Sequence, residues 1–111
     1  MTCEPGQIVL IPFPYSDLRT SKRRPVLVLT APDSHGDFIG LAITSVPGRE
    51  HAVPIPRDSL SGAELPKPSW VRVDKVFTLE TSHIWMVFGA VSKAFLADAL
   101  SGLCLRVGHS S

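Results

Sequence analysis

Ten prolines and eight glycines fall among the 111 residues of this chain, which rules out a bundle of long helices. The apolar runs between these breakers read as short strands. Gln7–Phe13 (QIVLIPF) is apolar and is closed by Pro12 and Pro14. Pro25–Thr30 (PVLVLT) is nearly continuous, the pattern of a strand covered on both faces. Phe38–Thr44 (FIGLAIT) follows a turn at 32–37. Ala52–Ile55, held between prolines, suits a sheet edge. Trp70–Val73 alternates, with Trp70 and Arg72 on one side and Val71 and Val73 on the other. Ile84–Val91 supplies a last strand, in which Gly89 marks a bulge or a close backbone approach. The period then changes. Phe95, Leu96, Ala99, Leu100, Leu103 and Val107 recur at helical spacing, with Ser92 as N-cap, Gly108 as stop and Gly102 as an internal cost of about 1 kcal/mol. The pattern predicts a mainly β fold, a small barrel closed by a C-terminal helix.

Length predicts one domain (1–111), near the size at which burial becomes limiting. A hydrophobic share of 44% excludes a disordered chain. No apolar run approaches the ~20 residues of a membrane span, and the N-terminus has neither a basic nor an apolar leader region, so a cytoplasmic protein without a membrane partner is expected. Cys3, at a loose terminus, and Cys104, on the helix, read as reduced thiols. Neither belongs to a metal-ligand pattern, and no metal or other cofactor is predicted. Net charge is +1, from 11 basic and 10 acidic residues, far from the balance of a general nucleic-acid coat. Arg19, Lys22, Arg23 and Arg24 nevertheless lie within six residues that contain no acid. Such a patch holds a few phosphates or simply keeps a loop solvated.

Three short motifs carry candidate chemistry, and each has a structural alternative. In Lys22-Arg23-Arg24-Pro25 the proline forces Arg24 into extended geometry, which aims a planar fork of donors suited to phosphate or to a surface carboxylate. In Ala42-Ile43-Thr44-Ser45 two hydroxyls end an apolar strand, where they donate to a phosphoryl oxygen or start the following turn. In Arg72-Val73-Asp74 a cation and a carboxylate share one side of a strand, as a proton-handling pair or a structural ion pair. The histidines at 35, 51, 83 and 109 are scattered and receive no role. Trp70 and Trp85 are expected in the core or an interface rather than as base-stacking platforms.

Taken in order, Gly6–Leu10, Pro12–Leu18, Lys22–Leu29, Ala42–Ser45 and Pro68–Leu79 resemble the MazF/PemK family of bacterial toxin–antitoxin toxins; residues 84–108 match more loosely. The resemblance implies an SH3-like small β-barrel (CcdB/MazF/PemK-like) that forms a homodimer. It implies a type II toxin that cuts single-stranded RNA, typically mRNA, sequence-selectively and without a metal. A cognate antitoxin would occupy the RNA site with its flexible tail. By position, Arg24 and Thr44 become catalytic residues, joined by Asp74 as base and Arg72 beside it. Ser45, Arg19, Lys22 and Arg23 become RNA-binding residues, and the loops 14–23 and 46–69 read the bases. The sequence departs from the family at Gln7, where an acid is usual, and at the helix cap, which lacks an acidic third residue. Two other functions fit the same barrel: a non-catalytic binding module and a gyrase-poisoning toxin.

Overall fold

Strand-forming segments and breakers resolve into one antiparallel sheet followed by one helix. The computed structural model describes residues 2–13 and 22–108, with the side chains of Phe13 and Lys22 outside that description. The strands are β1 (Gln7–Phe13), β2 (Lys22–Val28), β3 (Asp37–Thr44), β4 (Ala52–Pro54), β5 (Leu60–Ser61), β6 (Trp70–Glu80) and β7 (Met86–Val91), and the helix is α1 (Lys93–Arg106). In space the strands run β4-β6-β3-β2-β1-β7-β5, so the two shortest segments form the edges, where little unpaired backbone is presented. The sheet curls into a half-barrel, the mainly β fold with a C-terminal helix that the sequence predicts.

Both faces of the sheet are covered. On one, Ile8, Leu27, Leu41, Ile43, Val71 and Val73 pack with Phe95 and Ala99 of α1. On the other, Cys3, Val9, Ile11, Val26, Val28, Phe38 and Ile84 form a second apolar cluster. This explains the unbroken Val26-Leu27-Val28 run. Alternate residues serve opposite cores, all three are fully buried, and each is worth roughly 1.5–3 kcal/mol of burial.

Several expectations change. Cys3 is not loose: only 2% exposed, it belongs to the second core. Gly6 N–H donates to Val28 O at 2.8 Å, which folds the terminus back onto the sheet. Gln7 completes that turn by accepting from Glu4 N–H at 2.8 Å, a task an acid at this position would also perform. The strand expected at Trp70–Val73 continues to Glu80, and β5 lies within a stretch with no strand signal of its own. Along α1, Phe95 and Ala99 are buried, but Leu100 is 37% and Val107 69% exposed, so the buried stripe is narrower than the spacing suggests. Trp85 is 50% exposed and is not a core residue.

Other details agree. Ser92 accepts from Phe95 N–H at 3.1 Å and caps α1, and Gly108 follows the helix at φ 82°. Gly102 marks a close approach of the helix to β6, since a Cβ there would sit 3.2 Å from Val73 Cγ1. Between Ile8↔Gly89 and Val9↔Val87, β7 spends one residue more than β1, the bulge that Gly89 suggests. No helix among the described residues is long and apolar enough to cross a membrane.

Candidate functional site

Pro25 lies where two strand pairings diverge. β2 pairs with β3 from Val28↔Gly40 to Val26↔Ala42, and that pairing stops next to the one residue type that has no N–H to give a ladder. Upstream of it, β2 continues against β1 alone, through Leu10↔Pro25, Ile11↔Arg24 and Pro12↔Arg23. β3 runs on to Thr44, which pairs with Trp70 of β6. Continuing the β2–β3 register two residues past Val26 sets Arg24 across from Thr44.

A groove of about 520 Å³ opens between these strand ends. Leu10, Pro25, Ile43 and Phe88 give it an apolar floor. Arg23 and Arg24 stand on one side, Thr44 and Ser45 on another, and the segment Leu65–Lys67 with Ser69 on a third. Three cations and no carboxylate appear among the described residues lining it, so the groove favours an anion. Both uses foreseen for the hydroxyl at Thr44 are compatible. Its Oγ1 accepts from Val46 N–H at 3.1 Å to start the turn, and its own hydrogen remains available to donate.

Arg24, Arg23, Thr44 and Ser45 are thus brought together. Arg19 lies outside the described residues, as does the side chain of Lys22. Lys67 is a groove residue that sequence reasoning passed over. Its backbone is fixed from both sides: Ser69 Oγ donates to Lys67 O at 3.0 Å, and Ser69 O accepts from Ile55 N–H at 2.9 Å. A cue was present, because Lys67 precedes Pro68 as Arg24 precedes Pro25, and proline confines both to extended backbone.

Arg72 and Asp74 do not line the groove. Between Leu41↔Val76 and Ile43↔Val71, β3 advances two residues while β6 advances five, so β6 bows out by three residues over the motif. There β6 pairs with β4, through Ala52↔Arg72. Within the bow, Arg72 donates to Asp74 twice, Nε to Oδ1 at 3.2 Å and Nη2 to Oδ2 at 3.0 Å. The Arg72 hydrogen bond holds the Asp74 carboxyl below its usual value, against the opposing effect of partial burial, and the Arg72 and His51 charges add to the lowering. Alternation along β6 keeps Arg72 and Asp74 on the side that Trp70 shares with Thr44, so the pair borders the groove's face without entering it. Among the described residues, no three His, Cys, Asp or Glu side chains gather into a metal-ligand cluster.

A curled antiparallel half-barrel, backed by a C-terminal helix and cut by a basic, hydroxyl-edged groove, defines a class of small, mainly β folds. Residues 4–106 match the family of PemK-like, MazF-like toxins of type II toxin–antitoxin systems, and the chain belongs to that family. Solved structures agree in fold. MazF in the MazE–MazF complex of Deinococcus radiodurans is 23% identical, with 99% of each chain covered and a TM-score of 0.75. An endoribonuclease in complex with its cognate antitoxin, from a Mycobacterial species, is 16% identical over 98% of each chain, at a TM-score of 0.76. Mycobacterium tuberculosis toxin MazF-mt6 is 21% identical over 95% of this chain and 99% of its own, at 0.70. No curated protein matches the chain significantly.

Proposed function

We propose that this toxin is a sequence-selective endoribonuclease that cuts single-stranded RNA, mRNA above all, by attack of the RNA's own 2′-hydroxyl and without a metal ion. The observation that carries the reading is that Arg24 and Thr44, from adjacent strands, line one groove with no carboxylate among its described lining residues. Scission needs the 2′-oxygen aligned with the phosphorus, its proton accepted, the phosphorane's added charge stabilised and the departing 5′-oxygen protonated. Arg24, fixed by Pro25, meets the charge on the non-bridging oxygens. Thr44 and Ser45 donate to the same phosphate and hold its orientation. Arg23 and Lys67 neutralise the flanking phosphates, and Arg19 and Lys22 are assigned to the same charge role.

Arg72 and Asp74 lie outside the groove lining, so Asp74 is assigned as the base for RNA that reaches past the groove to β6, with Arg72 holding its carboxylate ionised. A carboxyl held at low pKa is always ready to accept but is weakly basic, so its share of the rate is smaller than that of Arg24. The departing 5′-oxygen takes its proton from water, and the products are a 2′,3′-cyclic phosphate and a 5′-hydroxyl. The working form is a cytoplasmic homodimer with an RNA track at the junction of its protomers, silenced when the tail of a cognate antitoxin fills the groove. The mycobacterial relative bound to its antitoxin supports that pairing by analogy.

The test uses purified protein, a chelator, and a long single-stranded RNA beside DNA of the same sequence. Discrete RNA cuts with cyclic-phosphate ends are expected. Arg24→Ala and Thr44→Val should each slow cutting by about 100-fold or more at unchanged thermal stability. Cleavage abolished by chelator, or RNA left intact by a folded protein, would overturn the proposal and turn attention to gyrase binding.

A further inference from the structure

Trp85 is a large aromatic side chain outside the lining of this anion-favouring groove but in contact with Arg23, which lines it, and the described residues leave it half-exposed. Its backbone is anchored: Trp85 N–H donates to Leu10 O at 2.9 Å, and Leu10 forms part of the groove floor. Its indole is 50% exposed. Over the ring, 3.8 Å from the centroid, lies the guanidinium carbon of Arg23, which also lines the groove. A cation seated on an indole face gains from the ring quadrupole and loses the freedom of a long side chain. A guanidinium held this way has a second flat face and outward N–H donors, both useful to a planar base with a phosphate attached.

We infer that Arg23 and Trp85 together form a stacking platform for a nucleobase flanking the phosphate held by Arg24 and Thr44. This deepens the ribonuclease reading and rests on it. The groove's charge selects a polyanion, and the platform supplies what single-stranded RNA has and a duplex hides, the face of an unpaired base. Every base offers a π-face, so the platform contributes to affinity and to the length of RNA engaged rather than to base identity. Labour divides between neighbouring residues. Arg24 of β2 and Thr44 of β3 act on the phosphate, while Arg23, one residue before Arg24, and the Trp85 it covers hold the adjoining base.

The experiment titrates wild-type protein with a single-stranded RNA that spans a mapped cut site and carries a 2′-deoxy nucleotide there, so that it binds without being cut. Tryptophan emission should fall on binding, and most of that fall should vanish in Trp85→Ala, which retains Trp70. With cleavable RNA, Trp85→Ala should raise KM by about 10- to 100-fold and leave kcat within about threefold, as expected for loss of one stacked base. Trp85→Phe should recover most of the loss, and Arg23→Gln should show a smaller rise in KM. Binding of the deoxy-substituted RNA without any change in wild-type emission overturns the platform, and this reading needs no variant to fold. Unchanged KM in a folded Trp85→Ala also overturns it, as does a defect confined to dimerisation or to antitoxin binding. A wild-type protein that cuts no RNA removes the ribonuclease reading instead; the titration then uses an uncut single-stranded RNA of mixed sequence, and no fall in tryptophan emission overturns the platform as well.

Discussion

Arg72 and Asp74 are tied to each other by two hydrogen bonds, at 3.2 and 3.0 Å, so each charge is largely neutralised within the pair. The bow in β6 gives the motif room to close on itself. Its position beside β4 accounts for its separation from the arginine–hydroxyl groove, although all these residues belong to neighbouring strands.

That pair makes stability depend on pH in a defined direction. Asp74 titrates below its unfolded value of about 3.9, so its contribution is complete above that value and is lost as pH falls through the lower folded one. Asp74→Asn should cost roughly 0.5–1 kcal/mol at neutral pH, the scale of a partly exposed ion pair. Urea midpoints of the two proteins should converge in strong acid. A gap that widened on acidification would contradict the assignment.

Lys67 should act as a phosphate contact. Lys67→Gln is expected to raise KM several-fold at low salt, with little change in kcat. The slope of log(kcat/KM) against log[salt] should become shallower by roughly 0.7, the value of one phosphate contact on a single strand. An unchanged slope would remove Lys67 from the RNA track.

Gly40 marks a close approach inside the sheet. A Cβ there would run into Val26 Cγ1, with Leu27 O also tight against it. Both neighbours sit in packed strands and have little freedom to yield. Gly40→Ala should therefore destabilise the fold by about 1–3 kcal/mol, read as a lower denaturant midpoint at an unchanged m-value. A neutral substitution would mean that β2 and β3 are less tightly held than they look.

The two thiols should react at different rates. Burial pushes the Cys3 thiol above its ordinary value, whereas Cys104 is half-exposed on α1. Iodoacetamide at neutral pH should label Cys104 first and reach Cys3 only in denaturant, as peptide mass analysis would show. Equal labelling in native protein would mean that the terminus detaches from the second core.

Much of this fold is legible in local sequence. β1 runs from Gln7 to Phe13 as its apolar pattern and flanking prolines indicate, and α1 begins at the Ser92 cap. The misses share a cause, because they concern elements stabilised by distant partners. β5 is two residues long and is a strand only because β7 lies beside it at Val91 and Ala90. Cys3 is buried because Gly6 bonds to Val28, far along the chain. Trp85 is half-exposed among the described residues and meets Arg23, a contact that no periodicity encodes. Lys67 shares the X-Pro signal that singled out Arg24, and only the fold shows that both face one groove.

The sequence by itself determined most of the strand segments, where the helix starts, that Arg24 is extended, and that Arg72 and Asp74 share a side of β6. Those are consequences of backbone sterics and of the strand and helix periods, which act over a few residues. Tertiary structure decided which of the chemically capable side chains meet. The adjacency of β2 and β3 brings Arg24 and Thr44 to one groove, the bow in β6 withdraws Arg72 and Asp74 toward β4, and the segment held at Lys67 and Ser69 brings Lys67 to the groove. These meetings are fixed by strand register between segments tens of residues apart. Register follows from how whole apolar faces interlock, which no short stretch of chain records.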